Sequence, residues 1–183
     1  VLKKNNLQDA YIRPVVYAPA NMSFAKNTES FITIQAWEMQ PFLGDKLLKV
    51  MISSFQRPNP KGFKITAKAS GHYVNSILAS QEAKGKGFDE ALLLDMNDFV
   101  AEGPGANVFY EKDGKLFTPS LGNILPGITR ATVLELCNEL GILVEEKQIS
   151  PAELKQADIA FFCGTAAEVI GFESLDETKF PLA

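Results

Sequence analysis

A chain of 183 residues, 46% hydrophobic and 22% charged, has the makeup of one ordinary globular domain, or of one domain with a small appendage. A net charge of −4 and a pI near 5.1 lack the basic footprint that binding to nucleic acid requires. No apolar run reaches the length of a membrane span and no charged-then-apolar leader opens the chain, so the expected address is the cytoplasm, with no membrane partner.

Residues 10–17, Ala-Tyr-Ile-Arg-Pro-Val-Val-Tyr, are rich in β-branched and aromatic residues and predict a strand, which Pro14 restricts to an edge or to one end. A polar loop over 19–27 leads to 31–38, whose alternation predicts a second strand. Pro41-Phe42-Leu43-Gly44-Asp45 reads as a turn and as the domain boundary, dividing the chain into 1–44 and 45–183. Residues 48–56 predict a strand, closed by the loop Arg57-Pro58-Asn59-Pro60-Lys61-Gly62. A helix is expected from Ser70 to Lys84, with Val74, Ile77, Leu78 and Gln81 along its spacing and Gly85 and Gly87 ending it.

Glu90–Met96 is a continuous apolar run and predicts a buried strand. Asn107–Glu111 and Lys115–Thr118 flank Lys112-Asp113-Gly114, a hairpin signal. Ile128–Leu140 is the clearest helix. Pro126 precedes it, Val133, Leu134, Leu136 and Leu140 supply an apolar face, and Gly141 stops it. Leu143–Gln148 predicts a strand, Ser150-Pro151-Ala152-Glu153 a capped short helix, Ile159–Cys163 a buried strand and Glu168–Glu173 one more. Irregular alternation with hairpins mixed in predicts an α/β (α+β) fold with mixed sheets. The start at Val1, close to a strand, and the end just after another predict a fragment of a longer protein.

Two cysteines and one histidine offer no metal spacing, so no metal is expected; Cys137, in a helical pattern, and Cys163, in a strand-like run, read as small buried hydrophobes. Four segments carry chemistry instead. Lys68 lies between Ile65-Thr66-Ala67 and a helix start, flanked by small residues, where its amine could meet an aldehyde. Glu102 follows Phe99-Val100-Ala101 and precedes a Gly-Pro-Gly turn; a carboxylate there could hold a proton on a pyridine nitrogen, with Asn107 near the same ring. Pro126-Gly127-Ile128-Thr129 opens a helix, whose free N–H groups favour a phosphate. Gly164-Thr165-Ala166-Ala167 is a turn suited to a phosphate or a carboxylate. Each has a plainer reading when taken singly: a solvated lysine, a surface glutamate, a good helix cap and a strand-end turn. Their order and co-occurrence point to pyridoxal phosphate.

The strings Tyr11-Ile12-Arg13-Pro14, Thr66-Ala67-Lys68, Glu102-Gly103, Leu125-Pro126-Gly127-Ile128-Thr129-Arg130 and Gly164-Thr165-Ala166-Ala167-Glu168 resemble those of branched-chain amino acid aminotransferases, enzymes of pyridoxal phosphate fold type IV. The resemblance runs from about Tyr11 to about Asp176. It implies that residues 1–44 end a small N-terminal domain and that 45–183 belong to the large cofactor-binding domain. By the same resemblance Lys68 is the Schiff-base lysine, Glu102 partners the ring nitrogen and Tyr73 bonds the cofactor's phenolic oxygen. Ile128, Thr129 and Thr165 hold the phosphate. Tyr11 and the Thr165 and Ala166 amides meet the substrate carboxylate, and Arg13 takes the second carboxylate of glutamate.

The implied reaction is transfer of an amino group between a branched-chain L-amino acid and 2-oxoglutarate, in a homodimer. Same-fold alternatives are a D-amino acid aminotransferase, an aminodeoxychorismate lyase or a non-catalytic fragment. His72 stands where that family usually has asparagine and Ser70 where it often has glycine. An arginine for the phosphate, carried by the family's small domain, is missing.

Overall fold

The computed structural model describes residues 1–40 and 42–181 and divides the chain into two compact units, Val1–Phe42 and Leu43–Ala183. Pro41, in the expected boundary turn, and the closing Leu182-Ala183 lie outside the described residues.

The first unit is built on β1 (Tyr11–Tyr17) and β2 (Phe31–Trp37), paired antiparallel from Tyr11↔Trp37 to Tyr17↔Phe31. Pro14 sits in mid-strand opposite Ile34, tolerated because every strand of a two-stranded sheet is an edge. Aromatic pairs clamp both ends of the ladder, Tyr11 on Trp37 at 5.1 Å and Tyr17 on Phe31 at 5.6 Å between ring centroids.

In the second unit β3 (Leu48–Gln56), α1 (Tyr73–Gly85) and β4 (Glu90–Leu94) form a parallel crossover. They are followed by β5 (Val100–Glu102), the hairpin β6 (Asn107–Lys112) and β7 (Lys115–Pro119), then α2 (Ile128–Leu140) and β8 (Val144–Lys147). The short α3 (Pro151–Leu154), β9 (Ile159–Gly164), β10 (Glu168–Leu175) and β11 (Thr178–Lys179) complete it. The sheet is mixed, as expected: β3 runs parallel to β4 and β10, β7 parallel to β8, and the remaining pairs are antiparallel. Because β9 pairs with both β10 and β6, the strands β10-β3-β4-β5-β6-β9 close into a ring. All six contribute to one core, among them Val50, Leu92, Val100, Val108, Phe162 and Phe172.

Local chemistry sets the element ends. Asp113 and Gly114, both at positive φ (53° and 77°), make the tight β6–β7 turn that the hairpin signal foretold. Gly141, at φ 69°, closes α2 as a left-handed cap. Ser150 Oγ accepts the Glu153 N–H at 3.1 Å at the start of α3, ahead of Pro151 in the first turn. Both cysteines are free and buried. No helix among the described residues is long and apolar enough to cross a membrane.

Three expectations are corrected. Ser70–His72 is a 3₁₀ turn and α1 begins only at Tyr73. The face of α1 is inverted: Val74, Ile77 and Leu78 are exposed, while Ser76, Ala79 and Ala83 are buried. Met51 and Leu93 already fill the layer above the strands, so only small residues let the helix approach. In α2 the buried positions are Arg130 and Cys137, with Leu136 and Leu140 exposed.

Candidate active site

Glu102 ends β5, pairs across the sheet with Asn107 and is 4% exposed. The turn between them needs Gly103, since a Cβ there would lie 2.9 Å from the Phe162 ring. Asn107 Nδ2 donates to Glu102 Oε2 at 2.9 Å and to Leu125 O at 3.0 Å, and the Leu125 N–H donates to Glu102 Oε1 at 3.0 Å. Arg57 Nε lies 2.8 Å from the same Oε1, off the hydrogen-bond axis, so this contact is an ion pair. Burial pushes the Glu102 carboxyl up to about 7, against the pull of Arg57, the Leu125 N–H, Lys68 and Arg130. Each carboxylate oxygen accepts one hydrogen bond, Oε1 from Leu125 and Oε2 from Asn107, and Arg57 lies against Oε1, which leaves Oε2 a position for a further donor.

The Leu125 loop leads straight into α2. Gly127, in extended conformation, is its N-cap, and no side chain caps the helix among the described residues. The first bond back into the helix runs from the Ala131 N–H to Gly127 O, so the donors of Ile128, Thr129 and Arg130 precede the regular ladder. Such a terminus is built for an anion. The Ile128 side chain points into the open, at 83% exposed, and Thr129 is half-buried. Arg130 fixes the terminus from below: its Nη2 donates to Pro119 O at 2.9 Å and meets Glu146 Oε2 at 2.5 Å.

A third turn lies alongside. Cys163 is the register partner of Asn107, and Gly164 packs on the 103–106 turn, where an added Cβ would stand 3.2 Å from Gly105 O. Thr165, exposed, and Ala166, half-buried, follow at the tip. Lys68 is exposed in the loop that leaves the buried Ile65, and its Nζ donates to the Tyr73 hydroxyl at 2.6 Å. Its charge is among the influences that pull the Glu102 carboxyl down, so the amine lies within electrostatic reach of that carboxylate.

The second unit therefore gathers Glu102, Asn107, Gly127, Ile128 and Thr129 with the 164–166 turn, and sets Lys68, bonded to Tyr73, within electrostatic reach of Glu102. Tyr11 and Arg13 are two residues apart on β1, hence on one face of the first unit's sheet. Two residues escaped the sequence reasoning. Arg57 read as the first residue of a loop, although an arginine directly after a buried strand calls for a carboxylate partner. Arg130 stands seven residues before Cys137, hence on the same helix face, and that spacing was the available signal.

An amine, a buried carboxylate and an uncapped helix start are what a phosphorylated pyridine aldehyde would need. Comparison with known proteins agrees. The amino-transferase class IV family model matches residues 1–175. A curated branched-chain-amino-acid aminotransferase of Pseudomonas aeruginosa is 43% identical over 184 residues, covering 97% of this chain and 60% of the relative. The crystal structure of the Escherichia coli branched-chain amino acid aminotransferase superposes with TM-score 0.94 at 38% identity, covering 98% of this chain and 62% of that one. The branched-chain amino acid aminotransferase of Thermobaculum terrenum, in its PLP-bound holo form, matches with TM-score 0.91 at 37% identity, covering 98% and 61%. The chain thus spans about 60% of the length of the curated relatives it matches.

Proposed function

We propose a function for a chain that belongs to the amino-transferase class IV family: pyridoxal phosphate-dependent transfer of an amino group between a branched-chain L-amino acid and 2-oxoglutarate. The observation that carries it is the strut at Asn107, which ties the buried Glu102 carboxylate to the loop feeding the uncapped start of α2. One ligand with a basic ring nitrogen at one end and a phosphate at the other satisfies both.

When bound, pyridoxal phosphate supplies an aldehyde that takes up amino groups and a ring that draws electrons from the substrate's α-carbon. Lys68 Nζ would hold the group at its aldehyde and would carry the proton at the substrate's α-carbon, with the Tyr73 hydroxyl beside it. Glu102 holds the proton on the ring nitrogen. Asn107 keeps Glu102 in place, and Gly127, Ile128 and Thr129 receive the phosphate with Thr165. The Thr165 and Ala166 amides receive the substrate carboxylate.

In this reading residues 1–44 close a small N-terminal domain, 45–183 belong to the large one, and the enzyme works as a cytoplasmic homodimer. The shared family, relatives at 43% and 40% identity and a TM-score of 0.94 support the assignment. The test is the visible absorbance of the full-length protein with pyridoxal phosphate. Lys68→Ala is expected to abolish the lysine-linked band and Lys64→Ala to keep it; equal retention in both defeats the proposal. Turnover of L-leucine but not of D-alanine or aminodeoxychorismate fixes the substrate class.

A further inference from the structure

We propose that Arg57 is a positioning residue that holds the Glu102 carboxylate anionic and aimed at the ring-nitrogen end of the site. What Glu102 meets rests on the function proposed above; the coupling of Arg57 to Glu102 does not.

Arg57 is held by its backbone before its side chain does anything. It follows Gln56, the last residue of β3, its N–H donates to Leu94 O at 2.8 Å, and Pro58 restricts the chain beyond it. From that anchor the guanidinium reaches Glu102 with both side chains almost wholly buried, at 7% and 6% exposed. Two unlike charges out of water at 2.8 Å are strongly coupled, and arginine cannot discharge itself by losing its proton.

The other charges felt at Glu102 are differently engaged. Lys68, in the loop before α1, is exposed and bonded to Tyr73. Arg130, on α2, is paired with Glu146. The neutral donors on the carboxylate, Asn107 Nδ2 and the Leu125 N–H, orient it but bring no full charge. Among the described residues Arg57 is the one cation in contact, and it is the first of the influences that oppose burial. A carboxyl already poised near neutrality needs that opposition to stay ionised, and a protonated Glu102 could not hold a proton on a ring nitrogen.

An adjacent opposite charge lowers a carboxyl pKa by about 1–3. Removing Arg57 is therefore expected to raise the proton affinity of Glu102 by at least tenfold. The measurement is infrared difference titration of the full-length protein, with and without pyridoxal phosphate, in wild type, Arg57→Met and Arg57→Lys, the band being identified by its loss in Glu102→Gln. Arg57→Met should move the Glu102 midpoint up by one pH unit or more, and Arg57→Lys should return most of it. With cofactor bound, the pH profile of the visible absorbance should move in the same direction.

A folded Arg57→Met protein whose midpoint stays within a factor of about two of wild type overturns the proposal, even if it melts earlier. Should Arg57→Met fail to fold, recovery of a cooperative melt in Arg57→Met/Glu102→Gln supports the pair, and no recovery overturns it. A shifted midpoint in a protein that takes up no pyridoxal phosphate upholds the coupling and defeats the cofactor reading. Normal uptake with an unmoved midpoint does the reverse.

Discussion

Asn107 Oδ1 occupies the place where a side chain on Gly127 would begin, since a Cβ there would stand 2.1 Å away. The N-cap of α2 and the strut of Glu102 are thereby keyed to each other. Gly127→Ala must push Asn107 aside, and both hydrogen bonds of its amide go with it. Overpacking of this kind costs about 1–3 kcal/mol. Gly127→Ala should melt earlier without cofactor and bind pyridoxal phosphate at least tenfold more weakly, as read by calorimetry and by fluorescence titration.

Tyr73 and Lys68 make the opposite case, a contact at the surface with little beneath it. The bond is short, 2.6 Å, but Lys68 is exposed and Tyr73 half-buried, so the fold does not lean on it. Tyr73→Phe should leave the melting midpoint almost unmoved, within about 0.5 kcal/mol. Turnover by the loaded enzyme should fall by about tenfold or more, because the amine loses the group that orients it.

These two cases show what a linear sequence reveals and what it hides. The helix Ile128–Leu140, the β6–β7 hairpin and the Ser150 cap were legible because proline, glycine and serine mark backbone ends through their own φ preference or hydroxyl, whatever surrounds them. Lys68, Glu102 and the Gly127 loop stood out in the sequence by residue type and order. The inward face of α1 was not. Large apolar residues mark a core face only where the opposing layer has room, and β3 and β4 fill theirs with Met51 and Leu93. Ala79→Leu should therefore cost about 1–3 kcal/mol by denaturant unfolding, while Leu78→Gln should stay within about 0.5 kcal/mol. Arg57 was hidden for a different reason: its partner is 45 residues away (102 less 57), and only the closed ring of strands brings the two together.

Arg130 anchors the start of α2 as Arg57 anchors the Glu102 carboxylate at the end of β5. Its guanidinium is 4% exposed and bonds the Pro119 carbonyl and Glu146, so α2 starts from a point fixed to β7 and β8. Arg130→Met keeps the bulk and loses a charged hydrogen bond to a buried carbonyl, at a cost of about 2–3 kcal/mol. Glu146→Gln, at a side chain 44% exposed, should cost well under half of that. Chemical denaturation of the two variants separates them, and weakened cofactor binding should accompany only the first.

Glu82 supplies the pH dependence of the β3–α1 layer. From α1 it accepts Ser53 Oγ at 2.6 Å and the Ser54 N–H at 2.9 Å on β3, and it pairs with Lys86 at 2.8 Å. Lys86 first, then Ser53, hold its carboxyl down from 4.5 to about 2. The folded state thus binds this proton less readily than the unfolded chain. The stabilisation is complete above about 4.5 and is lost as pH falls through about 2. Lys86 is 57% exposed, so salt weakens its share, and the serine bonds carry the part that persists. Glu82→Gln should cost about 1–2 kcal/mol at neutral pH and should unfold with a shallower acid dependence. Glu145 and Asp158 are also lowered, and they titrate in both proteins, so the difference between the two curves isolates Glu82. Curves that run parallel from pH 5 down to about 2 would show that the layer does not depend on this carboxylate.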